Sequence, residues 1–203
     1  MGDSHIIEEL STQIKRKIKK VNKVNWLIKG FQINKLDQVT HINISKCNLK
    51  GKWPSALFRL KHLEFIDIQG NNLDYIPNEI TNLKNLRCLD IRQNQINSLP
   101  QLIANLTVLQ KIYLGDNKFT KVPEILYDCP KLEVVDFTNN ELFEGMECLL
   151  NSVSIKNIYL RNNCIKVFPF HLINSQRLVE LNLMENNIEN IPDELPKIEL
   201  FHL

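Results

Sequence analysis

An α/β solenoid is the fold class that the sequence predicts, with a curved parallel sheet on the concave face, short helices or turns on the convex face, and an N-terminal helix. Three observations predict it. One segment recurs about every 23 residues, its apolar positions follow strand spacing, and most copies carry a proline at one fixed place.

The recurrence is plainest in "FIDIQGNNLDYIPNEITNL", which returns 23 residues later as "CLDIRQNQINSLPQLIANL". Units begin near Leu36, Leu60, Leu83, Leu106, Cys129, Ser152 and Ser175, the first spacing being 24 and the next five 23. Three apolar columns run through them: Val39 to Leu178, Ile42 to Leu181, and Ile44 to Leu183. In "LEFIDI" the apolar Ile66 and Ile68 flank the polar Asp67, which is the two-residue period of a strand with one buried face. An Asn column follows (Asn71, Asn94, Asn117, Asn140, Asn163, Asn186), with Cys47 in its place in the first unit. Asn side chains mimic backbone groups, so this column is expected to satisfy the turn that leaves each strand. A Pro column (Pro77, Pro100, Pro123, Pro169, Pro192) is expected to open a short helical stretch. The next apolar residues, Ile80, Ile103, Leu126, Leu172 and Leu195, should pack inward. No unit can bury its apolar face alone, whereas stacking buries them all.

The pattern L-x-x-L-x-L-x-x-N-x-L, carried by these columns from Leu36 to about Leu203, resembles the leucine-rich repeat. The tails "IPNEI" and "LPQLI" are similar to those of the intracellular, Ras-group subclass. "YDCPKLEVVDFTNN", followed by an irregular unit, is similar to leucine-rich repeat-containing protein 2 and its relatives. The resemblance implies a scaffold in Ras-pathway or phosphatase signalling, or in cytoskeletal or muscle-type association.

Two regions follow: residues 1–35, a basic amphipathic helical cap, and residues 36–203, seven repeats plus a partial eighth. In the first, Ile7, Leu10, Ile14, Ile18, Val21, Val24 and Ile28 recur at helical spacing, with Lys15, Arg16, Lys19, Lys20 and Lys23 mostly elsewhere. A stacked core needs an apolar cover at its open end, which such a helix provides. Its basic face also suits weak contact with an anionic membrane. Within it, Lys23-Val24-Asn25-Trp26 resembles the short docking motif of protein phosphatase 1 regulators. That makes a phosphatase regulatory subunit the alternative function, although such docking needs an extended strand.

Charge narrows the partner class. Residues 1–35 carry eight Lys/Arg against three Asp/Glu, and the remainder 17 against 20. A repeat domain with net negative charge is no nucleic-acid surface. The N-terminal "MGDSHIIEEL" has no apolar core, so neither a signal peptide nor a membrane span is expected. Five cysteines without Cys-rich caps or C-x-x-C pairs point to reduced thiols and a cytoplasmic protein. His5, His41, His62, His171 and His202 are scattered over different units, and the six glycines form no phosphate loop. No catalytic constellation, metal site or cofactor is therefore expected, and the chain reads as a non-catalytic protein-binding scaffold or adaptor.

The information should lie between the apolar columns, where strand residues face the concave side. Here Asp67, Asp90, Tyr113, Asp136 and Tyr159 form one column, with Arg92 and Arg161 two residues further on. Carboxylates, tyrosines and arginines in one strip predict a protein-binding surface, because Tyr and Arg are enriched where interface energy concentrates. Two irregularities complete the reading. The fifth unit has Met146 where Pro is expected, and the last unit stops at "DELPKIELFHL" without a polar cap. Phe201 and Leu203 are expected to fold back over the open end, unless more of the protein follows.

Overall fold

The computed structural model describes residues 2–150, 154–173, 177–193 and 198–203. The unit starts Ser152 and Ser175 and the inward Leu195 lie outside them, as does the side chain of Leu172.

Among the described residues, nine strands form one sheet in sequence order: β1 Gly30–Ile33, β2 Val39–Asn43, β3 Phe65–Asp67, β4 Cys88–Asp90, β5 Lys111–Tyr113, β6 Val134–Asp136, β7 Asn157–Tyr159, β8 Glu180–Asn182 and β9 Leu200–His202. All neighbours are parallel except β1 and β2, which pair antiparallel. The repeat strands are short because each alternates around one inward residue. Ile42, Ile66, Leu89, Ile112, Val135, Ile158 and Leu181 fill that column, all of it buried.

On the convex side stand 3₁₀ turns at Ser55–Arg59, Asn78–Asn82, Gln101–Asn105, Glu124–Asp128 and Met146–Leu150, and a short helix at Phe170–Ile173. Proline's role differs slightly from expectation. Pro54, Pro77, Pro100 and Pro123 do not occupy the first helical position but precede it in extended conformation. Their carbonyls accept the N–H three residues on, at 2.9–3.1 Å. In the fifth unit Met146 itself begins the turn and is buried. That irregular unit keeps the repeat's packing rather than projecting a loop.

The Asn column is a hydrogen-bonded ladder. Asn117 Nδ2 donates to the carbonyls of Leu114 and Gly115 in its own unit and of Ile91 in the previous one, while its Oδ1 accepts from Ile96 N–H. Asn94, Asn140, Asn163 and Asn186 repeat the pattern. Cys47 supplies a weaker version, its thiol donating to Ser45 O at 3.6 Å. The residue before each ladder position is left-handed: Lys46, Gly70, Gln93, Asp116, Asn139, Asn162 and Glu185 all have φ between 50° and 65°.

The N-terminal region departs most from its helical reading. The helix α1 spans only Ser4–Gln13, and that segment contains no Lys or Arg. It ends in a Schellman motif: Lys15 is left-handed at φ 53°, Arg16 N–H reaches Ser11 O, and Lys15 N–H reaches Thr12 O. The apolar period that runs on to Ile28 therefore belongs to extended chain, which turns back to form β1. Gly30 lies where this chain crosses itself, and a Cβ there would sit 2.3 Å from Lys19 O. Ile6, Ile7 and Leu10 of α1 join the same buried core as the repeats, and the helix lies against the 3₁₀ turn Ser55–Arg59. At the other end Phe201 does not fold back. It pairs in parallel register with Leu181 as part of β9 and sets its ring 6.3 Å from Phe168.

Candidate functional site on the concave face

The parallel register carries one lateral row across the sheet, Asn43, Asp67, Asp90, Tyr113, Asp136, Tyr159 and Asn182. Five of the seven residues singled out from sequence, Asp67, Asp90, Tyr113, Asp136 and Tyr159, lie in this row, and Arg92 and Arg161 follow two residues further on, but the seven do not share one environment.

Asp67 and Asp90 are fully buried. Each Asx of the row turns one oxygen onto its own backbone: Asn43 accepts from Ser45 N–H, Asp67 from Gln69, Asp90 from Arg92, Asp136 from Thr138 and Asn182 from Met184, at 2.9–3.2 Å. This capping of the strand end is a structural duty that composition alone does not reveal. Its trace in the sequence is the recurrence of Asn or Asp as the last residue of five of these strands. Burial, and then the neighbouring Asp90, push the Asp67 carboxyl up to about 6.

The cover over these carboxylates comes from the N-terminal chain. Asn25 Oδ1 accepts from Leu27 and Ile28 N–H, making a tight turn, and Asn25 O accepts from Asn43 Nδ2 at 2.8 Å. The turn sets Trp26 over the sheet, edge-on to Tyr113 at 5.7 Å and to Phe65 at 6.4 Å. Beneath it, Arg92 forks onto Asp90, with Nη2 2.6 Å from Oδ2 and Nε 3.0 Å from Oδ1. The same guanidinium lies 5.9 Å from the Trp26 ring and 5.3 Å from Tyr113. His41 stacks on Phe65 at 5.8 Å, and Lys29 Nζ donates to Ser45 O at 2.8 Å. The helical spacing of this segment gives no sign that Trp26 and Lys29 lie on the concave face; the turn at Asn25 brings them there.

Beyond Tyr113 the face is open. Lys111, Tyr113, Val134, Asp136, Thr138, Asn157 and Tyr159 line a shallow depression of about 440 Å³. Tyr159 donates to Glu180 Oε2 at 2.6 Å, and Asn157 Nδ2 reaches the same oxygen at 3.0 Å. Burial pushes both tyrosines up to about 12, and at Tyr159 the Glu180 hydrogen bond adds to it, so both stay protonated. Arg161 is exposed and pairs with Glu185 at 2.5 Å on the rim.

Nothing in this arrangement assembles a nucleophile with a base. Burial drives the Cys88 thiol up to about 12 and the neutral form of His41 is favoured for the same reason. All five cysteines are free thiols. Among the described residues no group of His, Cys, Asp and Glu is placed to hold a metal ion, and no helix is long and apolar enough to cross a membrane.

Comparison with known proteins agrees with the geometry. The model of the leucine-rich repeat region matches residues 32–142. No curated protein matches the sequence. Among solved structures, a leucine-rich repeat protein of Leptospira interrogans superposes with a TM-score of 0.62 at 28% identity, over 66% of this chain and 34% of that one. An internalin of Listeria monocytogenes gives 0.64 at 23% identity, over 74% and 44%. A plant peptide hormone receptor, RGFR1, in complex with RGF2, gives 0.57 at 31% identity, over 67% and 23%. The chain thus spans less than half the length of each of these solved chains. Periodicity, the asparagine ladder, the strand register and the family match converge, and the chain belongs to the leucine-rich repeat family.

Proposed function

We propose that this protein is a non-catalytic, cytoplasmic scaffold or adaptor that holds a protein partner against the open part of its concave face, from Tyr113 across Asp136 to Tyr159. The observation that carries the reading is the depression at these residues. It presents two protonated tyrosines and one partly exposed carboxylate on a rigid parallel sheet. Aromatic anchors on a pre-formed surface lose little entropy on binding. The plant receptor with its bound peptide is a precedent for ligand binding by a similar solenoid. Of the remaining candidates, Asp67 and Asp90 would act from below by holding the floor, Arg92 would brace Tyr113, and Arg161 would meet the partner at the rim.

The alternative is docking of protein phosphatase 1 on Lys23–Trp26. It would need Val24, which is buried and donates its N–H to Gln32 Oε1, and Trp26 to leave their sites together. The concave reading asks for no such rearrangement. The test is affinity purification with the full chain, followed by titration of the captured partner. Replacing Tyr113 and Tyr159 with Ala should weaken binding by about 2–4 kcal/mol, while Asn82→Ala on the convex side leaves it unchanged. Affinity that survives loss of both tyrosines but falls with Val24→Ala and Trp26→Ala would favour the phosphatase-type site.

A further inference from the structure

A second site lies off the concave face, where α1 ends. The Schellman turn at its C-terminus and the first repeat's turn face each other across a groove of about 790 Å³. Five of its lining side chains are cations, Lys15 and Arg16 from one wall and Lys46, Lys50 and Lys52 from the other, and no carboxylate lines it. None of the five forms an ion pair among the described residues, whereas six other cations do.

This convergence is specific to the first repeat. Its turn has one residue more than the others, which is the origin of the 24-residue first spacing. The extra residue makes Leu49-Lys50-Gly51-Lys52 a hydrogen-bonded turn, with Lys52 N–H reaching Leu49 O and φ of 53° and 77° at Lys50 and Gly51. Positive φ at both central positions marks a type I′ turn, for which a glycine at the second is suited. Lys46 fills the left-handed column that Gly, Gln, Asp, Asn and Glu occupy elsewhere, and its stem lies against Gly70. Gln13 ties the two walls together, donating to Ser55 Oγ at 3.1 Å and accepting from Ala56 N–H at 3.1 Å.

Charge along the chain sharpens the asymmetry. Residues 14–58 hold eleven Lys/Arg and a single carboxylate, Asp37, so the rest of the protein is net negative. Five like charges around one concavity repel one another, and a multivalent anion relieves that repulsion. The size suits a compact ligand, since small-molecule pockets span roughly 300–1,000 Å³. Phosphate monoesters match isolated ammonium groups and one guanidinium.

We propose that this groove binds a compact polyphosphate of the phosphorylated-inositol type, either free or as a lipid headgroup. Its test uses the full chain at physiological salt. Inositol hexakisphosphate is titrated calorimetrically, and flotation compares vesicles containing phosphatidylinositol 4,5-bisphosphate with phosphatidylserine vesicles of equal charge. Saturable 1:1 binding should fall at least 30-fold in the Lys46→Gln, Lys50→Gln, Lys52→Gln variant, since Gln93 already occupies the Lys46 column with the same backbone. Lys84→Gln with Lys131→Gln, on later repeats, should change nothing. Binding of the soluble ligand without flotation assigns a free polyphosphate, and preference for bisphosphate vesicles assigns a headgroup. Three results would overturn the proposal: no binding of either probe, strong and equal flotation with both lipids, or tighter binding to an acidic peptide or single-stranded RNA than to the polyphosphate. A melting curve of the triple variant that matches the parent excludes misfolding as the cause of any loss.

Discussion

Arg92 and Arg161 hold the same position of the repeat three units apart, and they behave as different residues. Arg92 forks onto a fully buried carboxylate under a tryptophan, while Arg161 reaches an exposed glutamate on the rim. Asp67 and Asp90 differ from Asp136 in the same way, buried in one half of the concave face and partly exposed in the other. The repeat supplies identical backbone geometry to both halves. What separates them is a roof that only the first half has, laid by the chain from Val24 to Lys29. Position in a solenoid therefore does not fix a residue's role, because the ends receive neighbours that the middle lacks.

The largest effect that sharpens this contrast is expected from Arg92→Ala. It leaves Asp90 buried without its countercharge and should cost about 3–5 kcal/mol, read as a lowered midpoint in urea unfolding. A loss below 1 kcal/mol would mean that water reaches Asp90 and that the roof is open in solution.

Asp67 gives a signed pH test. Its carboxyl lies near 6 in the fold and near 3.8 when unfolded. The folded state therefore binds the proton more tightly, and ionisation costs stability that is fully lost above the folded value. At about 1.4 kcal/mol per pKa unit this approaches 3 kcal/mol at neutral pH. Asp67→Asn keeps the acceptor for Gln69 N–H, so it should be the more stable protein at pH 7. The advantage should shrink as pH falls through 6 and vanish near 4. Trp26→Ala should lower the Asp67 value by admitting water. An advantage that does not vary with pH would remove burial as its cause.

The ladder should not feel the roof at all. Asn94→Ala under it and Asn117→Ala beyond it each strand several backbone groups, so each should cost about 1–3 kcal/mol. Costs differing by more than the measurement error would show that the halves differ in their backbone as well. Smallest of all, Arg161→Ala should leave the melting midpoint unchanged, since exposed ion pairs contribute little.

The repeat half of the molecule was readable because its information is periodic. Leu89, Asn94 and Pro100 each have counterparts at the same offset, and an offset of 23 residues fixes which strands lie side by side. The row from Asp67 to Tyr159 followed from that alone. The N-terminal segment was not readable in this way. Ile14, Ile18 and Val24 are buried, as helical spacing would have it, yet two of them lie in extended chain, because a Schellman turn at Lys15 ended the helix early. Spacing of apolar residues reports burial and only indirectly the backbone that achieves it.

Sequence by itself thus determined the solenoid, its register, its inward columns and the row of polar residues on its concave face, since each of these rests on local spacing repeated many times. Tertiary structure alone decided that Trp26 and Lys29 lie on that face, that Asp67 and Asp90 are sealed beneath it, and that Lys15 and Arg16 meet Lys46, Lys50 and Lys52 across one groove. These contacts join segments with no repeating relation to each other. Their energies come from desolvation and charge at a particular place in space, which a one-dimensional pattern does not record.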